Sequence, residues 1–437
     1  MRTITVDTPV GAITGTEEDD GIRCFLSLPH VHYEAPFDDP SLATSLCSAG
    51  SPFDATRTHK DRTALSVYAP AGSAPGADAP VIAYIHGGSY IHGTHADPET
   101  QGRALAREGY VCVCLGYRLS APGFTQLRGD GPSHYRGIED CLLGLEWIQR
   151  CVESFGGDPT NVTLMGQSAG GGIVLWLLRK DHFRGGFRRA IALSPAYPRG
   201  SSAQRHGAVR TALGTPLLRR ELNDLAREHP ERLARRLPRV RYFFPTDVPF
   251  GPYPLEPSEW VSSVPLLLTC TDAEFWRHPV ARRLDGRAAA RPLARGLARH
   301  LGCDPDALSS YTAQLPEGHE IGEVIGDGTI RRYVAAGAEL SPCPTWVLQH
   351  RSDPAAGEII THCDDLPWYF EAEPSVWARR MLARFIASDS LPWTPYEAER
   401  DRAVLEVHGA GREEGHARST LRKDPLGHIR GAYGVTR

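Results

Sequence analysis

No stretch of this 437-residue chain offers the roughly 18 consecutive apolar side chains that span a bilayer, which excludes a helical integral membrane protein. Residues 1–20 mix charges with Thr and Gly and lack the apolar centre of a secretory signal. A cytoplasmic chain with no membrane partner is the expectation. Cysteine is sparse, ten residues with no C-x-x-C pair, far below the density of a disulfide scaffold. Cys112 and Cys114, one residue apart in an apolar run, read as buried thiols. Neither sign of charge dominates: Lys+Arg of 48 against Asp+Glu of 52 leaves a net −4, so no sequence-independent attraction to nucleic acid is expected. The chain has no P-loop, no G-x-G-x-x-G after a strand and no His/Cys set at metal spacing; no cofactor and no metal are expected. Internal repeats are absent too, and with 41% hydrophobic and 23% charged residues the composition is that of an ordinary globular protein.

What is present is an alternation. Val81 to Ile85, Val111 to Leu115, Val162 to Met165, Ala190 to Leu193, Val264 to Thr269 and Thr345 to Gln349 read as strands buried on both faces. Glu99 to Glu108, Gly137 to Phe155, Ala169 to Arg179 and Ser375 to Ala387 carry helical spacing between them. This predicts an α/β fold with a mostly parallel sheet covered by helices on both faces. Residues 30–80, rich in Pro, Ser, Asp and Ala, read as an antiparallel entry meander. Residues 199–240, dense in Arg and Leu, read as surface helices inserted over the sheet, with an Arg-lined recognition face as the alternative. The Gly- and charge-rich end predicts a loosely held tail, about 408–437.

Gly166-Gln167-Ser168-Ala169-Gly170 follows a predicted strand and opens a predicted helix, the context in which a G-x-S-x-G turn presents a nucleophile. The two glycines leave room where the helix turns back over the strand, and the helix N-terminus favours a developing anion. Some 80 residues earlier, Val81 to Ile85 runs into His86-Gly87-Gly88-Ser89-Tyr90, whose small residues leave backbone N–H groups open to a substrate oxygen.

The segment Phe155 to Gly170, reading F-G-G-D-P-T-N-V-T-L-M-G-Q-S-A-G, resembles the nucleophile signature of the type-B carboxylesterase and cholinesterase family of α/β hydrolases. Ile85-His86-Gly87-Gly88, Gly116 to Leu119, Phe187 to Ser194, Val264 to Leu268, Thr361 to Phe370 and Leu391 to Tyr396 follow in the matching order, so the resemblance covers roughly residues 3–425. It implies a single α/β-hydrolase domain over 1–437, with about 199–260 as a cap lining the substrate gorge. It also implies a Ser, acid, His triad. Ser168 is the nucleophile, and His362, in a segment similar to the family's His-Gly-x-x-Leu-Pro loop, is the base. The acid falls on Glu274 within Thr269-Cys270-Thr271-Asp272-Ala273-Glu274-Phe275, with Asp272 as the competitor because the glycines of the family's Asp-Glu-Gly are missing. Gly88, Ser89 and Ala169 would form the oxyanion hole, and Ser194 would either support the acid or serve as an ordinary turn residue. The implied activity is hydrolysis of a small-molecule carboxylic ester through an acyl-enzyme. Acyl transfer, cyclisation or lactone cleavage on the same triad is the alternative.

Departures accompany the resemblance. Ser89 stands where a third glycine is usual, Cys363 where Gly is common, and Lys60-Asp61-Arg62-Thr63-Ala64-Leu65 lacks a family cysteine, in keeping with a reducing compartment. Cys363 reads as a small packing residue, or else as a redox-sensitive thiol. Tyr90, Phe124, Phe275, Trp276, Trp368 and Tyr369 lie near the motifs and are divided between an apolar pocket and plain core. His86, His92, His95 and His350 read as structural histidines.

Overall fold

Strands covered on both faces appear as uninterrupted apolar runs. The computed structural model, which describes residues 1–46, 51–59, 63–353, 357–371, 375–408 and 418–434, gathers such runs into one sheet. The chain enters through β1 (Arg2–Thr8), β2 (Gly11–Glu17) and β3 (Arg23–Pro29), passes the short β4 (Val31–His32), β5 (Ser41–Leu42) and β6 (Phe53–Asp54), and reaches β7 (Ala64–Ala69). Then come β8 (Ala79–Ile85), β9 (Val111–Leu115), β10 (Gly157–Gln167), β11 (Arg189–Leu193), β12 (Leu266–Thr271), β13 (Thr345–Arg351), β14 (Ala403–His408) and β15 (Arg418–Lys423). Neighbours run β1-β2-β3-β7-β9-β8-β10-β11-β12-β13-β14-β15, with β6 beside β2. From β9 across to β14 the pairing is parallel; the flanks are antiparallel except for β6, which runs parallel to β2.

Alternate residues of these strands feed two separate cores. Val81, Ala83, Ile85, Val111 and Val113 face one layer; Ile82, Tyr84, Cys112, Cys114 and Met165 face the other. Full burial of each aliphatic side chain contributes about 1.5–3 kcal/mol, which is why apolar side chains predominate on both faces of the central strands. The helices Arg136–Cys151 and Ala169–Leu177 pack against the first layer, and Val376–Ser388 against the second.

The order of connections locates the site. From β8 the chain crosses to β9 on one side and then returns to β10 on the other, so the carboxyl ends of β8 and β10 flank a topological switch point, where open α/β sheets bind ligands. His86 follows β8 and Ser168 follows β10.

Two expectations need correction. The antiparallel entry lies mainly in residues 2–29, where Thr/Ile/Val alternation builds hairpins, and the described residues between 30 and 63 hold only two-residue strands. The C-terminal stretch is held rather than loose: β15 pairs with β14 over six residues, and the helix Gly427–Ala432 buries Ile429 and Ala432. Residues 409–417 and 435–437 of that expected tail, and 60–62 of the departing N-terminal stretch, lie outside the described residues.

Between β11 and β12 stand the helices Ser202–Leu213, Arg219–Glu228 and Pro230–Arg236. Ser201 and Gln204 cap the first reciprocally, satisfying two orphan donors, and Gly214 at φ 60° ends it. Leu222, Leu225 and Leu233 point inward, while most of the arginines face solvent. Among the described residues, no helix is long and apolar enough to cross a membrane.

Candidate active site

Ser168 sits at the tip of a strand-to-helix turn with φ 56° and ψ −116°, a strained conformation for a non-glycine residue. The neighbouring glycines make that turn possible. A Cβ on Gly166 would stand 2.5 Å from the Gly170 carbonyl oxygen, and one on Gly170 would stand 2.1 Å from that of Ile85. The elbow is thus pressed directly against the end of β8. Ala169 begins the helix, so its N–H belongs to the group left without an intrahelical acceptor.

The turn after β8 abuts the same place. A Cβ on Gly87 would lie 2.3 Å from the Gln167 side-chain oxygen and 3.3 Å from the Ser168 Cβ. Gly88 at φ 103° and Ser89 at φ 54° curl the chain, and the Gly88 carbonyl accepts from Ile91 and His92. Among the described residues the Gly88 and Ser89 N–H groups donate to no protein acceptor. Tyr117 stacks on His86 at 4.4 Å and gives its hydroxyl to the His86 carbonyl at 2.9 Å, which fixes the base of this turn.

The loops after β12 and β13 bring a carboxylate and an imidazole to the serine. His362 Nε2 is 2.9 Å from Ser168 Oγ, and its Nδ1 is 2.6 Å from Glu274 Oε2. Glu274 Oε1 accepts from Ser194 Oγ at 2.8 Å and from the Thr271 N–H at 2.7 Å. The His362 N–H donates to the Glu274 carbonyl at 2.9 Å, so the two loops are tied by backbone as well as by side chain. Asp272, the competitor for the acid position, is turned elsewhere: its Oδ1 accepts from the Ser352 N–H at 3.0 Å and Oγ at 2.7 Å.

The electrostatics follow from this pairing. Burial alone would push the Glu274 carboxyl up, but the His362 charge and the hydrogen bonds from His362, Thr271 and Ser194 outweigh it and hold the group below its ordinary range. Burial works against a charged His362, and Cys363 together with Glu274 overcomes that, holding the imidazole above its ordinary value. The arrangement can move a proton from the hydroxyl to the imidazole while the carboxylate fixes the tautomer.

Ser168, Glu274 and His362 therefore come together, beside the turn holding Gly88 and Ser89 and the helix start holding Ala169. The other histidines go elsewhere. His95 bonds Ser66 Oγ at 2.8 Å, His86 lies under the β8 turn, and His350 is wholly buried against Trp368. Tyr90, Phe124, Trp368 and Tyr369 are core residues, and Tyr90 gives its hydroxyl to the Ala196 carbonyl at 2.8 Å. Trp276 lies parallel to His319 at 3.8 Å. Sequence reasoning did not single out Gln167, whose amide donates to Cys363 Sγ at 2.8 Å and lies 3.4 Å from His362 Nε2. Its place as the variable letter of G-x-S-x-G was the available signal. Among the described residues no group of His, Cys, Asp and Glu side chains is arranged to hold a metal ion.

Residues 41–217 match a family model described as the carboxylesterase family. The para-nitrobenzyl esterase of Bacillus subtilis (strain 168) is 32% identical over 215 residues, which is 44% of this chain and 43% of that protein. Cholinesterase 1 of Branchiostoma lanceolatum is 35% identical over 167 residues, 36% of this chain and 46% of that protein. The matches thus span less than half the length of these relatives. Among solved structures, a PNB esterase superposes with a TM-score of 0.77 at 22% identity over 98% of both chains. Juvenile hormone esterase from Manduca sexta, with OTFP covalently attached, gives 0.74 at 19% identity over 99% of both. These likenesses establish the α/β-hydrolase fold.

Proposed function

We propose, from the premise that this chain belongs to the carboxylesterase family of α/β hydrolases, that it hydrolyses carboxylic esters through an acyl-enzyme on Ser168. The observation that carries the reading is the unbroken relay from Ser168 Oγ to His362 Nε2 at 2.9 Å and from Nδ1 to Glu274 Oε2 at 2.6 Å. His362 takes the serine proton as Oγ attacks the ester carbonyl, and the carbonyl oxygen becomes an oxyanion facing the N–H groups of Gly88, Ser89 and Ala169. Each such donor contributes about 3 kcal/mol to the transition state. His362 then returns the proton to the departing alcohol, and water repeats the sequence on the acyl-enzyme. Glu274 keeps the imidazole in the tautomer that can accept, and Ser194 keeps Glu274 in place. The Arg-rich segment of about 199–260 is the part to which we assign selection of the acyl and alcohol groups. The nine free cysteines among the described residues support a reducing compartment, the cytoplasm.

The test is covalent. Purified protein should hydrolyse p-nitrophenyl acyl esters to the free acid and be inactivated by an organophosphate that mass spectrometry places on Ser168. Folded protein labelled elsewhere, or unlabelled, overturns the reading. Transferred rather than hydrolysed acyl product, with Ser168 labelled, moves it to acyl transfer.

A further inference from the structure

Phe275 follows Glu274 at a position where the sequence departs from the glycine of the family pattern, and its ring lies over the His362 imidazole. The centroids are 5.1 Å apart and the planes differ by 29°. The backbone that carries the ring is closely packed. A Cβ on Gly322 would fall 2.8 Å from the Phe275 carbonyl oxygen and 2.7 Å from the Trp276 Cα, so the helix Glu320–Gly326 presses bare backbone against this loop. Trp276 is anchored in turn, with Nε1 donating to Glu323 at 2.7 Å. On its edge Phe275 meets the His278 ring at 5.7 Å and 88°. The imidazole is therefore held at Nδ1 by Glu274, directed at Ser168 through Nε2, and overlaid by Phe275.

We propose that Phe275 is a positioning residue of this site, whose ring face fixes the plane of His362 and stabilises the imidazolium formed when the proton of Ser168 Oγ passes to Nε2. The inference rests on the reading that Ser168 is the nucleophile and His362 its base. An aromatic face is electron-rich, so it attracts the ring more strongly once that ring is cationic. The interaction is thus larger in the transition state than in the resting enzyme, the condition for it to raise turnover instead of binding. The groups that set the charge of His362 from neighbouring elements are Glu274, Cys363 and Asp365, with His278 at the far edge of Phe275.

The experiment compares wild type with Phe275→Leu, Phe275→Tyr and pentafluorophenylalanine incorporated at 275, which keeps the ring's shape and reverses its face potential. The Leu and fluorinated proteins should lose about 3- to 30-fold in kcat, the range for a cation–π contact, with KM within about twofold. Losing that stabilisation should also move the acid limb of the kcat/KM profile to lower pH, while Phe275→Tyr stays close to wild type. A role in packing alone would leave the fluorinated protein at wild-type rate and midpoint, and that result overturns the proposal even if Phe275→Leu fails to fold. Organophosphate labelling of wild-type Ser168 is run alongside. Its failure sinks the nucleophile reading itself, whereas labelled wild type with unmoved variants sinks only the assignment to Phe275.

Discussion

Replacing Glu274 by Gln keeps the side chain's shape, so its effect can be worked out from hydrogen bonds alone. The carboxylate accepts three of them in a fully buried place: Thr271 N–H at 2.7 Å and Ser194 Oγ at 2.8 Å on one oxygen, His362 Nδ1 at 2.6 Å on the other. A glutamine has one oxygen to offer. If that oxygen faces Thr271 and Ser194, the amide NH2 faces Nδ1, and the imidazole must carry its proton on Nε2, where it donates to Ser168 and cannot accept. If the oxygen faces Nδ1 instead, the NH2 confronts the Thr271 N–H and leaves a buried donor unpaired, at about 1–3 kcal/mol. The inactive orientation wins by that margin, which lowers the productive population about 5- to 150-fold. Losing the charge opposite a forming imidazolium removes a further 1.5–3 kcal/mol or so. Together these predict a fall in kcat/KM of about 10² to 10⁴ with unchanged Tm, measured with a p-nitrophenyl ester between pH 6 and 9. A variant retaining more than a tenth of wild-type activity would refute the assignment of the acid. Asp272→Asn is the control: its carboxylate serves Ser352, so it should leave kcat within about threefold.

Two further substitutions probe the surroundings of the site. Asp365 is fully buried, and burial together with the nearby Glu274 charge pushes its carboxyl up to about 7. Its unfolded-state pKa is near 3.9, so the unfolded chain releases this proton first, and stability falls as pH rises from about 4 to about 7. Asp365→Asn removes that cost, which reaches about 4 kcal/mol above pH 7; its Tm should exceed wild type at pH 8, and the gap should close toward pH 4. A gap that does not vary with pH would contradict this. Gly170→Ala would place a Cβ 2.1 Å from the Ile85 carbonyl oxygen and 2.7 Å from that of His86, atoms that cannot rotate aside. Forcing the helix off β8 should destabilise the protein by about 1–3 kcal/mol and separate Ser168 from the turn at Gly88. Stopped assays and calorimetry returning wild-type values would show that the elbow is not packed as described.

The central sheet was legible because its signal is local. Val111 to Leu115 needed no correction, and Thr345 to Gln349 was short by two residues, because a strand covered on both faces selects apolar, β-branched side chains one after another. The same logic explains the misplaced end of β12. The expected strand ended at Thr269, but the observed one continues through Cys270 and Thr271, buried side chains that carry no hydrophobic periodicity. At the edges the signal disappears. β15 is exposed along its whole length and reads Arg-Ser-Thr-Leu-Arg-Lys, so only its pairing with β14, invisible to composition, makes it a strand.

The site shows a sharper division of the same kind. Ser168 could be found from its neighbours, because a strained turn demands small residues on both sides of it within five positions. Glu274 and His362 carry no such local demand; their segments were located by resemblance, and Asp272 stayed open against Glu274 because the glycines that flank the acid in the family pattern are absent here. What decides between them is distant in the chain. Ser194 lies 80 residues before Glu274 and meets it at 2.8 Å, while Ser352, 80 residues after Asp272, holds that carboxylate at 2.7 Å. Each hydroxyl occupies one carboxylate, and together the two hydrogen bonds distinguish the acid at 274 from the one at 272. The departures from the family's glycines are explained by the same convergence. Cys363 and Phe275 look unrelated in the sequence, yet Cys363 directly follows His362 and Phe275 covers its ring, so the two departures meet at one imidazole.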